Sequence, residues 1–187
     1  LYAQWTANGY TVKFDKNGGE GSMENQSFTY DVEQALTANA FTKTGYTFLG
    51  WNTKADGTGT GYEDGELVKN LTSDPDGVVT LYAQWKENSY TVKFDKNGDN
   101  VQGKMNSQKF TYDAEAKALT KNKYTRTGYT FTGWNTKADG TGTGYEDGEK
   151  VRNLTDASNG IVTLYAQWKQ IKYYIYAYAR VNSAYTL

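Results

Sequence analysis

The ten residues "DVEQALTANA", positions 31–40, decide the fold class. Asp31 can cap the free amides of a first helical turn, Gln34 follows three residues later, and Val32, Ala35, Leu36 and Ala40 recur at helical spacing. The second occurrence, from Asp113, keeps the cap and puts Lys121 and Lys123 near the negative end of such a helix. Both stretches are expected to be short helices.

The flanking residues read as strands. In "YTVKFDKNG" (10–18), Tyr10, Val12 and Phe14 alternate with Thr11 and Lys13, the period of a half-buried strand. "DKNGGEGS" supplies a turn, and "QSFTY" (26–30) can return as the second arm of a hairpin. In "GYTFLGW" (45–51), Tyr46 and Phe48 share one face and Leu49 takes the other. Gly50 can form a bulge that turns Trp51 back to the core. After an irregular Gly and Asp segment (52–65), "VTLYAQW" (79–85) closes the unit, with Val79, Leu81, Ala83 and Trp85 on one face. The order strand, strand, helix, strand, loop, strand implies an α+β module. A small mixed sheet carrying one short helix is a β-grasp-like, ubiquitin-like arrangement.

The unit occurs twice. "YTVKFDKNG" returns unchanged at 90–98, an offset of 80, and the block 45–66 returns at 128–149, an offset of 83, with Leu49 against Thr132 as the one difference. The extra residues fall near "GDNVQGKM" and "AKALTKNKY", which are therefore expected to be loops or a helix end. The expected organisation is a first module at 6–85 and a second at 86–168, with the short linkers "TAN" (6–8) before the first and "KENS" (86–89) between the two. Residues 1–5, "LYAQW", repeat 81–85 and 164–168 and read as the last strand of a preceding repeat, less buried than the other two. The unassigned tail, 169–187, contains "IKYYIYAYARVN", apolar on both faces, and reads as a strand that needs a partner. It could begin another domain, extend the second module's sheet, or pair with residues 1–5 of a neighbouring chain and link chains end to end.

Composition narrows the function classes. The 20 basic and 21 acidic residues are interspersed, giving a net charge of -1 without the basic stripe that nucleic acid requires. No apolar run approaches the roughly 20 residues that span a bilayer, so membrane insertion is not expected. With no Cys and no His, thiol nucleophiles, disulfides, most zinc sites and the commonest neutral-pH base are absent, and no cofactor is expected. The 17 Tyr, 7 Phe and 5 Trp must supply core area that few aliphatic residues provide.

Three constellations carry possible chemistry. Asp56, Glu63, Asp64 and Glu66, repeated as Asp139, Glu146, Asp147 and Glu149, could hold Ca2+, but they lack the alternate acid spacing of calcium loops and read as turns with solvated charges. As a glycosidase pair the same acids would need a cleft that separates their pKa values, and no enzyme is expected. Trp51, Tyr62, Trp134 and Tyr145 are the candidate ligand contacts, since aromatic faces stack on sugars, although the same rings are needed for the core. Lys13 and Lys93 could form strand-locking amide crosslinks, but alternation puts them on the polar face.

"YTVKFDKNGG", "GYTFLGWNT", "DGTGTGY" and the closing "VTLYAQW" together resemble the Listeria-Bacteroides repeat, also described as the internalin B-repeat type. The resemblance covers about residues 6 to 168; the tail departs from it. It implies β-grasp-like modules strung in tandem in bacterial cell-surface and secreted proteins, often as a stalk or adhesive region, and it brings no catalytic residues. The expectation is an extracellular, non-enzymatic region at the surface or wall of a bacterium, to which the Cys-free, Thr-, Gly-, Asn- and Tyr-rich composition adds a Gram-positive hint. It would act as spacer and in adhesion to host or other cells. The competing class is a carbohydrate- or protein-binding module with a ligand site on each repeat, its partner a host or bacterial surface glycan or protein.

Overall fold

The computed structural model describes residues 1–175. In the first repeat, strand β1 (Gly9–Asp15) buries Tyr10, Val12 and Phe14 and leaves Lys13 exposed, as its alternation requires. β2 (Gln26–Thr29) returns antiparallel and stacks Phe28 on Tyr10, ring centroids 5.3 Å apart. β3 (Gln34–Ala35), β4 (Tyr46–Asn52), β5 (Gly61–Tyr62), β6 (Leu67–Val68) and β7 (Gly77–Glu87) follow. The sheet order is β2-β1-β7-β4-β5. β1 runs parallel to β7 and β4 antiparallel to it, so the closing strand lies at the centre.

The second repeat has β8 (Ser89–Asp95), β9 (Val101–Gln102), β10 (Gln108–Thr111), β11 (Lys117–Ala118), β12 (Thr125–Arg126), β13 (Tyr129–Asn135), β14 (Gly144–Tyr145), β15 (Lys150–Val151) and β16 (Gly160–Gln170). Its sheet order is β10-β8-β16-β13-β14. The longer second repeat adds a two-residue pair, β9 with β12, where the first has a single bridge between Glu20 and Thr42.

The central strand is buried because sheet neighbours flank it on both sides. Leu81 and Ala83 are fully buried, as are Leu164 and Ala166. Around Trp51 the rings of Phe14, Phe48 and Phe41 lie at 4.8, 5.0 and 6.1 Å, and Phe94, Phe131 and Tyr124 surround Trp134 at 4.9, 5.0 and 6.2 Å. Each buried side chain of this size contributes about 1.5–3 kcal/mol of transfer free energy. Trp85 is half-buried, its Nε1 donating to Lys16 O at 3.0 Å and its ring edge-on to Phe48. The same five letters at residues 1–5 form no strand, and Leu1, Tyr2 and Trp5 are exposed.

The expected helices do not form. Among the described residues there is no helix, and each repeat is all-β, so the α+β, β-grasp expectation is corrected; the mixed sheet is present, the helix that would cover it is not. Asp31 stands at φ 63° and Asp113 at φ 56°, left-handed conformations that start a turn, where a helix cap needs an extended one. Gln34 and Ala35 pair with Val68 and Leu67, and Leu36 N donates to Glu66 O at 2.9 Å. Gln26 binds the strip from outside through Ala35 O and Thr37 N, both at 2.8 Å. Of the four residues at helical spacing only Leu36 is buried; Val32, Ala35 and Ala40 are exposed. Ten residues containing Val, Thr and Asn are too short to hold a helix without a packed apolar face, and in the extended strip Leu36 N, Thr37 N and Asn39 N donate to Glu66, Gln26 and Asp64.

Close packing joins Leu1–Lys93, Ser107–Ala118 and Lys150–Val162 into one compact unit, so that unit extends past the end of the first repeat. Residues 171–175 form no strand and Tyr173, Tyr174 and Ile175 are exposed; the rest of the expected tail strand, 176–187, lies outside the described residues. No helix among the described residues is long and apolar enough to cross a membrane.

Candidate functional site

β4 shifts register against β7 between Phe48 and Gly50, and Gly50 adopts φ 137°. This is the bulge read from the sequence: it brings Phe48 and Trp51 onto the core face and leaves Leu49 exposed. Glycine is required here twice over, because a Cβ at position 50 would come within 2.6 Å of Tyr62 O.

Beside the bulge lies a shallow groove of about 600 Å³, bordered by Leu49, Asn52, Tyr62, Glu63, Glu66 and Gln84. The second repeat has its counterpart of about 680 Å³, bordered by Thr132, Asn135, Tyr145, Glu146, Glu149 and Gln167. The four aromatic candidates meet here in pairs, Trp51 opposite Tyr62 across β4 and β5, and Trp134 opposite Tyr145 across β13 and β14. Trp51 and Trp134 are each 1% exposed, so neither offers a ring face to a ligand. Their indole Nε1 atoms are buried without a hydrogen-bond partner among the described residues, as is the Tyr10 hydroxyl. Tyr62 borders the groove beside Trp51 and is half-buried against the core, with burial first and then the nearby Glu66 and Tyr10 pushing its phenol above the ordinary value.

The acids of the segment shape loops. Asp56 Oδ1 accepts from Thr58 N at 3.0 Å and Thr58 Oγ1 at 2.8 Å, bonds that hold its carboxyl below the ordinary value. Asp139 is held the same way by Thr141. Asp64 accepts from Asn39 N at 2.8 Å, and Glu66 from Glu63 N at 2.6 Å. Asp147 and Glu149 repeat these bonds to Asn122 and Glu146. A glycosidase acid needs a raised pKa; Asp56 and Asp139 are shifted the other way. Among the described residues no three His, Cys, Asp or Glu side chains converge to hold a metal.

Sequence reasoning missed the asparagines. Buried Asn52 receives Lys54 N and Gly59 N at 2.9 and 3.0 Å and donates to Gly57 O and Gly59 O, so it folds the whole "DGTGTG" loop; Asn135 does the same in the second repeat. The signal was its position directly after Trp in a block repeated almost unchanged.

A family model for the Listeria-Bacteroides repeat domain matches residues 10–84 and again 90–167. The chain belongs to the Listeria-Bacteroides repeat family. Such repeats are shared with internalin H of Listeria monocytogenes, 35% identical over 165 residues, covering 85% of this chain and 25% of internalin H. A protein of Evansella cellulosilytica described as a membrane protein is 35% identical over 172 residues, 90% of this chain and 23% of its own length. A Gly-rich membrane protein of the same organism is 42% identical over 128 residues, 68% and 14%. The chain thus spans about a quarter or less of these relatives. The type 2 repeat of the mucus-binding protein MUB from Lactobacillus reuteri covers 87% of this chain and is covered whole, with a TM-score of 0.20 and 11% identity, too low for an argument from fold.

Proposed function

We propose that this pair of Listeria-Bacteroides repeats is a non-enzymatic, extracellular region of a bacterial surface protein that serves as a spacer. Membership of a family shared with internalin H supports the surface setting. The connection between the repeats carries the spacer reading. β7 ends at Glu87, β8 begins at Ser89, and the single residue between them, Asn88, is buried. Asn88 N donates to Gly45 O and Asn88 O accepts from Tyr112 N, both at 2.8 Å. Its side chain accepts from Thr47 Oγ1 at 2.6 Å and donates to Asp156 O at 2.7 Å. The "KENS" link has no slack, and a spacer needs none. Trypsin and a glutamate-specific protease test this at Lys86 and Glu87. Both residues are exposed, yet a spacer resists cleavage there and a flexible linker is cut first.

The duplicated groove supports adhesion as a second role, with a host or bacterial surface glycan or protein as partner. Tyr62 and Tyr145 are its contact residues, and Trp51 and Trp134 their buried supports. Glycan arrays and mucin pull-downs with Tyr62→Ala and Tyr145→Ala together test it; unchanged binding by the double variant would remove the groove from the reading.

A further inference from the structure

Tension along the chain reaches the first repeat through its first and last strands, and the fold sets those two strands side by side. β1 and β7 run parallel, in register from Tyr10 against Gly77 to Asp15 against Tyr82. The chain enters β1 at Gly9 and leaves β7 at Glu87, at opposite ends of the pair. A pull along the chain therefore slides one strand lengthwise past the other and loads all the rungs of the ladder together, where a peeling force would break them one by one.

Three features oppose that slide. β7 lies inside the sheet, held by β1 on one side and β4 on the other, so it offers no free edge. Val12, Leu81 and Ala83 are fully buried and Phe14 nearly so, and a slip of one residue would turn the buried side chains of β1 outward. Ties also continue past the ladder at both ends. Where β1 begins, Asp76 N donates to Gly9 O at 2.9 Å. Beyond its last residue, Asn17 Nδ2 donates to Ala83 O at 2.9 Å and to Ala55 O at 2.8 Å, and Trp85 Nε1 donates to Lys16 O at 3.0 Å. The second repeat keeps the same ties: Asn97 Nδ2 to Ala166 O at 2.9 Å and Ala138 O at 2.8 Å, and Trp168 Nε1 to Lys96 O at 3.0 Å.

We propose that the first repeat is a load-bearing element, in which the parallel β1–β7 pair, extended by Asn17 and Trp85, carries tension along the chain in shear. The inference deepens the spacer reading and rests on it, because a spacer that also tethers must keep its folded length when pulled, which makes its unfolding rate the governing quantity. Only Asn88 separates β7 from β8, so tension leaving β7 enters β8 directly.

The test is optical-tweezer pulling of the full chain. It has no cysteine, so pairs of introduced cysteines give defined handles. Ala7→Cys with Glu87→Cys draws β1 and β7 past each other. Thr44→Cys with Glu87→Cys pulls instead at the end of the antiparallel β4–β7 pair, where Tyr46 faces Glu87, and opens it rung by rung. All three positions are exposed, and urea midpoints equal to the parent's check that the handles leave the fold intact. At one pulling speed the first pair is expected to unfold in a single step at about twice the force of the second, or more. Asn17→Gly accepts the left-handed backbone (φ 46°) and loses both side-chain bonds, so it should lower the first force and leave the second unchanged. Equal forces in the two directions, release of β1 ahead of the rest, or an Asn17→Gly loss shared by both directions would each overturn the proposal. Both handles of the first pair lie on the near side of Asn88, so a slack link there would sink the spacer reading without moving that force.

Discussion

Asp31 and Asn70 hold each other by a reciprocal pair of hydrogen bonds, Asp31 N to Asn70 Oδ1 at 2.7 Å and Asn70 Nδ2 to Asp31 Oδ1 at 2.9 Å. Asp113 and Asn153 repeat the pair at 2.7 and 2.8 Å. Asn70 also stands at φ 56°, a conformation Ala resists. Asn70→Ala is therefore expected to cost about 2 kcal/mol and Asn70→Gly about 1 kcal/mol, since Gly loses the bonds but keeps the backbone. Urea midpoints check the order, and circular dichroism should show no gain of helix in either variant.

Trp51 separates the core role from the ligand role. Trp51→Ala removes a ring packed on Phe14, Phe41 and Phe48 and should cost about 3–5 kcal/mol, read as a drop in melting temperature. Leu49→Thr, which copies Thr132, should change stability by less than about 0.5 kcal/mol because the side chain faces water. A lectin built on Trp51 would instead lose binding with its melting temperature intact.

At Gly50 a side chain meets both a left-handed backbone and the Tyr62 carbonyl, whereas at Gly65 (φ 69°) nothing lies within 4 Å of a Cβ. Gly65→Ala should cost about 1 kcal/mol from backbone strain alone, and Gly50→Ala clearly more, about 3 kcal/mol, with the bulge forced open. Equal costs at the two positions would mean the close approach to Tyr62 is unimportant.

Acid should weaken the fold in a defined window. Asp56 and Asp139 are lowered by hydrogen bonds from Thr58 and Thr141. Asp113 is lowered first by Asn153, then by Arg152 and Tyr46. A carboxyl whose folded pKa lies below its unfolded value contributes stability that is complete above the unfolded value and is lost as pH falls through the folded one. Urea midpoints should therefore not respond to these groups between about pH 7 and 5 and should fall below about pH 4. Asp56→Asn with Asp139→Asn should flatten that fall.

The strands were legible because alternation is local: Tyr10, Val12 and Phe14 announced β1, and Leu81 and Ala83 announced the central strand. The bulge at Gly50 was legible too, since one glycine between Leu49 and Trp51 is what an inward tryptophan needs. Residues 31–40 misled because Asp, Gln and spaced apolar residues suit a helix cap and a turn equally. What decided between them was Asn70, Glu66 and Gln26, distant or flanking residues whose bonds no local period reveals. That Trp51 is buried and Tyr62 half-buried was not legible, because both depend on the β4–β5 register that pairs them. The joint at Asn88 was invisible, being made by one asparagine in an unremarkable link and by residues up to 68 positions away.

Hydrogen exchange at two amides tests the spacer claim most directly. Asn88 N and Tyr112 N donate to Gly45 O and Asn88 O, and if the link has no slack they should exchange as slowly as the sheet amides of β7 and β8 on either side. Exchange of these two amides at the rate of an unstructured chain, with β7 and β8 still protected, would show a flexible hinge and contradict the claim.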